Sequence, residues 1–218
     1  LQVYFTLNFI VALMAWFISW RALLFFSFYI FLIWFYSHKL KKIVFIGNLS
    51  AALLAVWPFF AILLYYYQPT SIEELERHKD HFAVIFAHAS FLFLLILIRE
   101  LIKDLENLKG DLANNYHTIP VFYGESWSKR ISTGLTVLTL VPVYILIELY
   151  DVGYMDIYFY SSLIVLLFFL LLLWQSNNKT HYIRLHNILK FLIVAGVFCI
   201  VLINPSVLWH GKNWLLKQ

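Results

Sequence analysis

Residues 82–98 read FAVIFAHASFLFLLILI, a stretch that contains no Lys, Arg, Asp or Glu side chain. A helix needs about 20 predominantly apolar residues to cross the hydrocarbon core of a bilayer, and flanking residues complete a slightly shorter run. Strands of a membrane barrel have about 10 residues and alternate between apolar and polar side chains. The stretch is longer than such a strand and apolar on every side, so it predicts a transmembrane helix.

Six further apolar runs extend this pattern over the chain. They cover residues 1–20, 22–36, 43–67, 131–149, 157–174 and 187–203. Arg21 separates the first two runs, and a basic loop at 37–42 separates the second from the third. Because lipid offers no partner for the edge of an open sheet, we predict an all-α fold, a polytopic transmembrane bundle of about seven helices.

The composition favours a membrane protein over a soluble one. Of the 218 residues, 62% are hydrophobic and 13% are charged, whereas soluble domains are typically about half apolar and a quarter charged. The net charge is +4, but the basic residues lie in short loops between apolar runs, where they determine membrane orientation. The partner that we expect is therefore the lipid bilayer, and no nucleic acid.

Lys and Arg are distributed unequally between the two sides of the predicted bundle. With seven helices, the loops at 37–42, 99–130 and 175–190 share one side and carry eleven of these residues, against five on the other. The side richer in Lys and Arg faces the cytoplasm. We expect a multi-pass integral protein of a bacterial inner (plasma) membrane, with the long charged loop in the cytoplasm.

The segment that follows 82–98 reads RELIKDLENLKGD and holds seven charged side chains. Its acidic and amide side chains recur every three or four residues, which places them on one face if the helix continues past position 110. These residues are Glu100, Asp104, Asn107 and Asp111. Carboxylates so close together repel one another, and a divalent cation would relieve the repulsion. Oxygen ligands without thiols indicate Mg²⁺ rather than zinc.

Basic residues accompany these acids, and this combination suits a diphosphate. Mg²⁺ in proteins usually takes one or two carboxylates together with phosphate oxygens. The nearby cations are Arg99 and Lys103, with Lys39 and Lys41 on the same predicted side of the membrane. On charge pattern alone, the alternative is an ordinary solvated segment of alternating charges that binds nothing.

Two motifs together resemble the UbiA superfamily of membrane prenyltransferases. The string at 99–111, followed by Thr-Ile-Pro at 118–120, is similar to the second aspartate-rich motif of that family. Tyr-Ser-x-x-Leu-Lys-Lys at 36–42, followed by Gly-Asn at 47–48, resembles its basic loop. Both motifs lie on one predicted side of the membrane and in the order of the family. The first is closest in form to members that alkylate geranylgeranylglyceryl phosphate.

The resemblance implies nine helices around a cavity that opens to the cytoplasm and to lipid. Of these helices, the chain would supply the last seven. We expect residues 1–218 to form a single transmembrane prenyltransferase domain that is incomplete at its N-terminus. The first aspartate-rich motif of the family is not found in this sequence, and we expect the fragment alone to be inactive.

The resemblance also implies a set of metal ligands. Ligation of Mg²⁺ would rest mainly on Asp104 and Asp111, which are also the expected catalytic carboxylates. Glu100 and Glu106 are lesser candidates. Asn107 stands where many members of the family have Asp, so it can offer a carbonyl oxygen but no negative charge.

Further roles follow for the residues that would bind substrate. We expect Lys41 to be the first protein contact of the phosphate and to share in catalysis. Asn48 lies within an apolar run, and polar residues inside a membrane are often functional. The remaining candidates for substrate binding are Lys39, Arg99 and Lys103.

The implied reaction is the Mg²⁺-dependent transfer of a prenyl group from an allylic prenyl diphosphate to a membrane-associated acceptor. We expect the acceptor to be geranylgeranylglyceryl phosphate, as in ether lipid synthesis. One alternative is prenylation of an aromatic acceptor in quinone biosynthesis. A second alternative, from another class, is a non-enzymatic transporter subunit or scaffold, although transporters usually show internal repeats or broken helices and neither is evident here.

Overall fold

A computed structural model describes residues 2–66, 79–150 and 152–199 of the chain. These residues fold into helices, and the described part of the chain contains no strand. The helices are α1 (Gln2–Ile18), α2 (Trp20–His38), α3 (Ile46–Tyr66), α4 (Lys79–Ala113), α5 (Ile119–Tyr123), α6 (Glu125–Leu138), α7 (Leu140–Tyr144), α8 (Asp156–Gln175) and α9 (Lys179–Cys199). Short 3₁₀ turns lie at Leu40–Lys42 and Gly153–Met155, and a π turn lies at Ile145–Leu149.

Seven apolar helical stretches correspond to the seven predicted runs. Five of them are long and apolar enough to cross a membrane, and α1 and the apolar part of α3 are shorter. The five stretches are Trp20–His38, Phe82–Ala113, Glu125–Leu149, Gly153–Gln175 and Lys179–Cys199. The predicted all-α membrane bundle is therefore confirmed. The last predicted run began at 187, but its helix begins at Lys179, and residues 200–203 lie outside the described part of the chain.

The first two helices separate at Ser19, and the predicted break at Arg21 was wrong by two residues. Ser19 has an extended backbone, and its Oγ accepts a hydrogen bond from the Ala22 amide at 3.1 Å. A serine in this position satisfies one of the free amides of the first helical turn. Arg21 lies inside α2 with its guanidinium 5.8 Å from the ring centre of Trp20. The cap, and not the charge, determines where the helix begins.

Helix α4 is the central element of the fold. Its 35 residues extend about 50 Å at 1.5 Å per residue, which exceeds the hydrocarbon core by roughly 20 Å. The apolar part is buried against α3 on one side and against α8 and α9 on another, with Phe91, Leu95 and Ile98 fully buried. The charged residues that follow 98 continue the same helix. The site is therefore carried by an extension of the most buried helix.

Helices α8 and α9 complete the apolar core through a close contact. The Tyr158 hydroxyl donates to the Leu192 carbonyl at 2.9 Å, and the ring packs edge-on against Phe91 of α4 with ring centres 6.2 Å apart. A Cβ on Gly196 would lie 2.6 Å from the Tyr158 hydroxyl oxygen. The absence of a side chain at this glycine therefore allows α8 and α9 to approach.

Candidate active site

The charged half of α4, residues 99–113, carries the predicted acidic face. The helix continues unbroken through Gly110 to Ala113, which is the condition on which that face depended. Asp104 and Asp111 are seven residues apart, nearly two full turns, and so project from the same side of the helix. The Asp111 charge lies close enough to repel that of Asp104.

Asp104 is held by a side chain from α3. Asn48, in the first turn of α3, donates from Nδ2 to Asp104 Oδ2 over 2.7 Å, and both side chains are half-buried. Hydrogen bonds with an ionised partner are shorter and stronger than neutral ones. The other carboxylate oxygen of Asp104 has no protein donor among the described residues. The Asn48 amide therefore orients Asp104 and leaves one oxygen that can bind a ligand.

Three charged residues at the start of the charged half form one cluster. Lys103 Nζ donates to Glu100 Oε2 at 2.7 Å, and Arg99 donates to the other oxygen, Oε1. Glu100 is buried, whereas the two cations are partly exposed. The carboxylate is thus compensated by two positive charges. This leaves it less available to a metal than Asp104, although the pair of cations still adds positive potential to the site.

The two predicted phosphate-binding lysines of the basic loop are placed differently. The charge of Lys41 acts on the Asp111 carboxylate, together with that of Lys103. Lys39 is exposed, and its Nζ lies 6.0 Å from the ring centre of Phe35 in α2. The fold therefore brings Lys41 to the acidic face, whereas Lys39, the residue after α2, points back along that helix.

Close backbone packing fixes the position of the basic loop. A Cβ on Gly47 would lie 3.0 Å from the Lys41 carbonyl oxygen, closer than nearly all real Cβ contacts. Between these residues, Phe45 has a left-handed backbone with φ of 62°, a conformation that is strained for a bulky side chain. The loop thus folds tightly onto the start of α3, one residue before Asn48.

Glu106 lies on the other side of α4 from Asp104. His186 of α9 contacts it, with 2.8 Å between Nδ1 and Glu106 Oε2. Sequence reasoning placed Glu106 with the metal ligands and gave His186 no role. The signal that was available is the spacing, because residues two positions apart on a helix differ by about 200° in direction.

Tyr36 is a further residue of the site that the sequence analysis did not select, and its phenol lies near the charges of Glu100 and Asp104.

The oxygen donors on this face of α4 suit an open Mg²⁺ site. Among the described residues, no three His, Cys, Asp or Glu side chains converge as a closed metal site. Mg²⁺ usually keeps several waters and binds one or two carboxylates together with substrate phosphates. An oriented Asp104 with Asp111 on the same face fits such an open site, in which the phosphate would complete the ligand shell.

These features define a class: a polytopic helical membrane protein that presents carboxylates and cations where one helix emerges from the apolar bundle. A model of the UbiA prenyltransferase family matches residues 1–192. The chain belongs to the UbiA prenyltransferase family.

Curated relatives carry one common name. The chain is similar to digeranylgeranylglyceryl phosphate synthases of Methanosphaera stadtmanae (30% identity, over 56% of this chain and 41% of the relative) and Pyrococcus furiosus (26% identity, 67% and 48%). The enzyme of that name from Methanopyrus kandleri is 44% identical over a shorter segment, which covers 26% of this chain and 24% of the relative. The chain thus spans less than half of the length of these relatives. No solved structure matches it.

Proposed function

We propose that this protein transfers a prenyl group from an allylic prenyl diphosphate to a membrane-associated acceptor, with Mg²⁺ bound by Asp104 and Asp111. The observation that carries the proposal is the position of Asp104, which Asn48 orients at 2.7 Å on the face it shares with Asp111. Lys41 and Lys103 act on that same face. Two carboxylates beside two lysines are suited to a metal-bound diphosphate.

The chemistry places its largest demand on the leaving group. Breaking the allylic C–O bond leaves a carbocation and a diphosphate anion, and the charge that develops there must be stabilised. Bound Mg²⁺ would supply Lewis-acid stabilisation of the phosphate oxygens. Lys41 and Lys103 would bind the same anion as point charges. Asn48 would keep the Asp104 carboxylate in its orientation throughout the reaction.

The apolar half of α4 suits the other half of the substrate. A prenyl tail is a hydrocarbon, and the cation formed at its head must be kept from bulk water. Aromatic faces stabilise nearby cations, and the Tyr36 ring lies near the charges of Glu100 and Asp104. The proposed site therefore lies where the charged half of α4 meets the apolar half.

We favour geranylgeranylglyceryl phosphate as the acceptor, in ether lipid synthesis. The support is the common name of the relatives, digeranylgeranylglyceryl phosphate synthase. An acceptor with its own phosphate would also benefit from the surplus of cations, since Arg99 and Lys103 compensate a single carboxylate. The distribution of Lys and Arg further supports a plasma-membrane protein, of the bacterial inner-membrane type, with both motifs in the cytoplasm.

The test is a transfer assay on the full-length protein in membranes. Geranylgeranyl diphosphate labelled in its prenyl chain is supplied with geranylgeranylglyceryl phosphate or, in parallel, with an aromatic acid acceptor. We expect label in the glyceryl lipid, loss of transfer on chelation of Mg²⁺ and its recovery when Mg²⁺ is restored. If label appeared in the aromatic product alone, the acceptor would be the aromatic acid. If neither acceptor gave a Mg²⁺-dependent product, the proposal would be overturned.

A matched pair of variants localises the reaction. Asp111→Ala should abolish transfer, whereas Glu148→Ala should leave it unchanged, because Glu148 is an exposed acid in the π turn at the other end of the bundle. Full activity of Asp111→Ala, with normal expression, would remove Asp111 from the site. Equal loss in both variants would indicate a general effect of removing acidic residues.

A further inference from the structure

A row of hydrogen bonds between side chains crosses the bundle at the level of the charged half of α4. We call it the polar belt, and it joins α6 to α9, α9 to α4, and α4 to α3. Its members are Glu125 with Tyr182, His186 with Glu106, and Asp104 with Asn48. The charged half of α4 is thus held from two sides, and only one of its two contacts belongs to the proposed diphosphate site.

The second contact, between His186 and Glu106, is a hydrogen bond that is largely shielded from solvent. The side chains of His186 and Glu106 are only 12% and 19% exposed. A carboxylate accepts hydrogen bonds, so this contact uses the tautomer of His186 that carries a hydrogen on Nδ1. A charge-assisted bond that is shielded from water is stronger than a solvated one. The contact therefore ties the side of α4 that faces away from Asn48.

Helix α9 is itself fixed where His186 projects from it. Tyr182 lies one turn earlier and is buried, and its hydroxyl lies 3.0 Å from Glu125 Oε2 and 3.2 Å from the Ser176 carbonyl oxygen. Residues four apart lie on the same helical face. His186 therefore extends towards α4 from a helix that cannot rotate freely.

Rotation of α4 is what these contacts control. A turn of about 20° would move a side chain at the edge of a helix by about 2 Å, given a radius of 5–6 Å. Functional side chains must be held within about 0.5 Å and 10–20° of the productive geometry. Apolar packing alone is less directional than a hydrogen bond.

We propose that Glu106 and His186 are a positioning pair, which fixes the rotation of the charged half of α4 so that Asp104 and Asp111 face the diphosphate. This inference rests on the proposed function. Glu106 acts through the helix and does not touch the metal or the substrate. The pair and the Asn48–Asp104 bond act on opposite sides of one helix, so neither alone sets its rotation.

The first test removes the donor but keeps the ring. His186→Phe in the full-length protein should lower kcat about tenfold, in the range seen for supporting contacts of metal sites, and raise the Mg²⁺ concentration for half-maximal activity. His186→Asn places a donor near the position of Nδ1 and should recover most of the loss. Rates are expressed per folded protein, so that a merely structural defect, which lowers yield, does not count as a catalytic one.

The second test separates positioning from metal ligation. Glu106→Gln keeps an accepting oxygen and loses the charge, so it weakens the contact without removing it and should keep a higher kcat than His186→Phe. A metal ligand would behave in the opposite order, with Glu106→Gln raising the Mg²⁺ requirement more than His186→Phe. That opposite order would overturn the proposal, as would wild-type kinetics in His186→Phe.

A readout independent of catalysis follows the helix itself. A spin label on Lys109→Cys, in a Cys199→Ser background, reports motion of the exposed surface of the charged half of α4. We expect greater mobility in His186→Phe and none of this increase in Tyr158→Phe, which removes a bond between α8 and α9 in the apolar core.

The spin label also distinguishes failure of the positioning pair from failure of the proposed function. Unchanged mobility in His186→Phe overturns the positioning pair, whether or not the protein is active. If the full-length protein transfers no prenyl group under any condition, the proposed function fails and so does a positioning role in it. An increase in mobility would then show only that the contact stiffens the helix.

Discussion

The two halves of α4 both pack into the apolar core, but the charged half adds side-chain hydrogen bonds to its neighbours. The apolar half, residues 82–98, is fixed by shape, since Phe91 packs against Tyr158 and that ring in turn fits over Gly196. The charged half, residues 99–113, also packs Ile102 and Leu105 into the core, and it adds hydrogen bonds to α3 and α9. Packing determines where the helix lies, and directed bonds determine which way its side chains face. Changes in the two halves should therefore have different consequences.

The largest effect in this comparison should come from removing Asp104, the carboxylate through which the two motifs contact each other. Asp104→Ala should lower kcat by about 10³-fold, because a group that stabilises charge in the transition state is lost. The thermal unfolding midpoint of the full-length protein should change little. Asp104→Asn keeps the size of the side chain but not its charge, and it should be nearly as inactive. Wild-type rates in Asp104→Asn would show that the charge has no role.

A smaller loss should follow when Asp104 is kept and its partner is removed. Asn48→Leu should lower kcat about 10–100-fold, which is typical for residues that orient a metal ligand. Ser50→Ala is the control, since Ser50 lies on the same helix and its hydroxyl donates to the Ile46 carbonyl, its one hydrogen bond in the described part of the chain. Transfer assays on both variants decide the matter, and equal activities would mean that Asp104 needs no orientation from α3.

The packing of α8 and α9 around the apolar half should respond in stability and not in chemistry. Gly196→Ala would place its Cβ 2.6 Å from the Tyr158 hydroxyl, and forcing atoms into a packed core costs about 1–3 kcal/mol. The unfolding midpoint in detergent should fall, while kcat per folded protein stays unchanged. Gly134→Ala in α6 meets nothing within 4 Å and should be neutral or slightly stabilising. A loss of kcat without a loss of stability in Gly196→Ala would contradict the view that this packing serves stability and not chemistry.

The smallest effect should come from the ion pairs at the start of the charged half. Lys103 is partly exposed, and Arg99 still compensates the buried Glu100 when Lys103 is removed, so we expect a loss of about 1 kcal/mol or less. Lys103→Met should therefore leave the unfolding midpoint almost unchanged and raise the KM for the prenyl diphosphate, an effect that should weaken at high salt. A lower midpoint with an unchanged KM would assign Lys103 to the fold and not to the substrate.

Much of the architecture was predictable because its signal is local. Apolar runs identify membrane helices wherever they occur, and the seven predicted runs all became helices. The shared face of Asp104 and Asp111 followed from helical spacing once the helix was known to continue. The break between α1 and α2 was predicted at Arg21 and lies at Ser19, because a charge visibly interrupts an apolar run whereas a capping serine does not.

The remainder of the site depends on which helices become neighbours. Spacing shows that Glu106 and Asp104 point in different directions, but it cannot show that α9 lies on one side and α3 on the other. His186 is 80 residues away from Glu106 in the chain, and no local pattern connects them. The different positions of Lys39 and Lys41 also depend on a tight turn of the backbone, which periodicity does not encode.

The close approach at Gly47 has a consequence for mutational tolerance. Any side chain at this position must displace the carbonyl of Lys41 by a few tenths of an ångström, although α3 itself would accept alanine readily. In a saturation scan, position 47 should therefore tolerate substitution poorly for a reason that lies outside its own helix. Compensating changes would arise in the loop at 40–42, so that the two segments would vary together across descendants of this sequence.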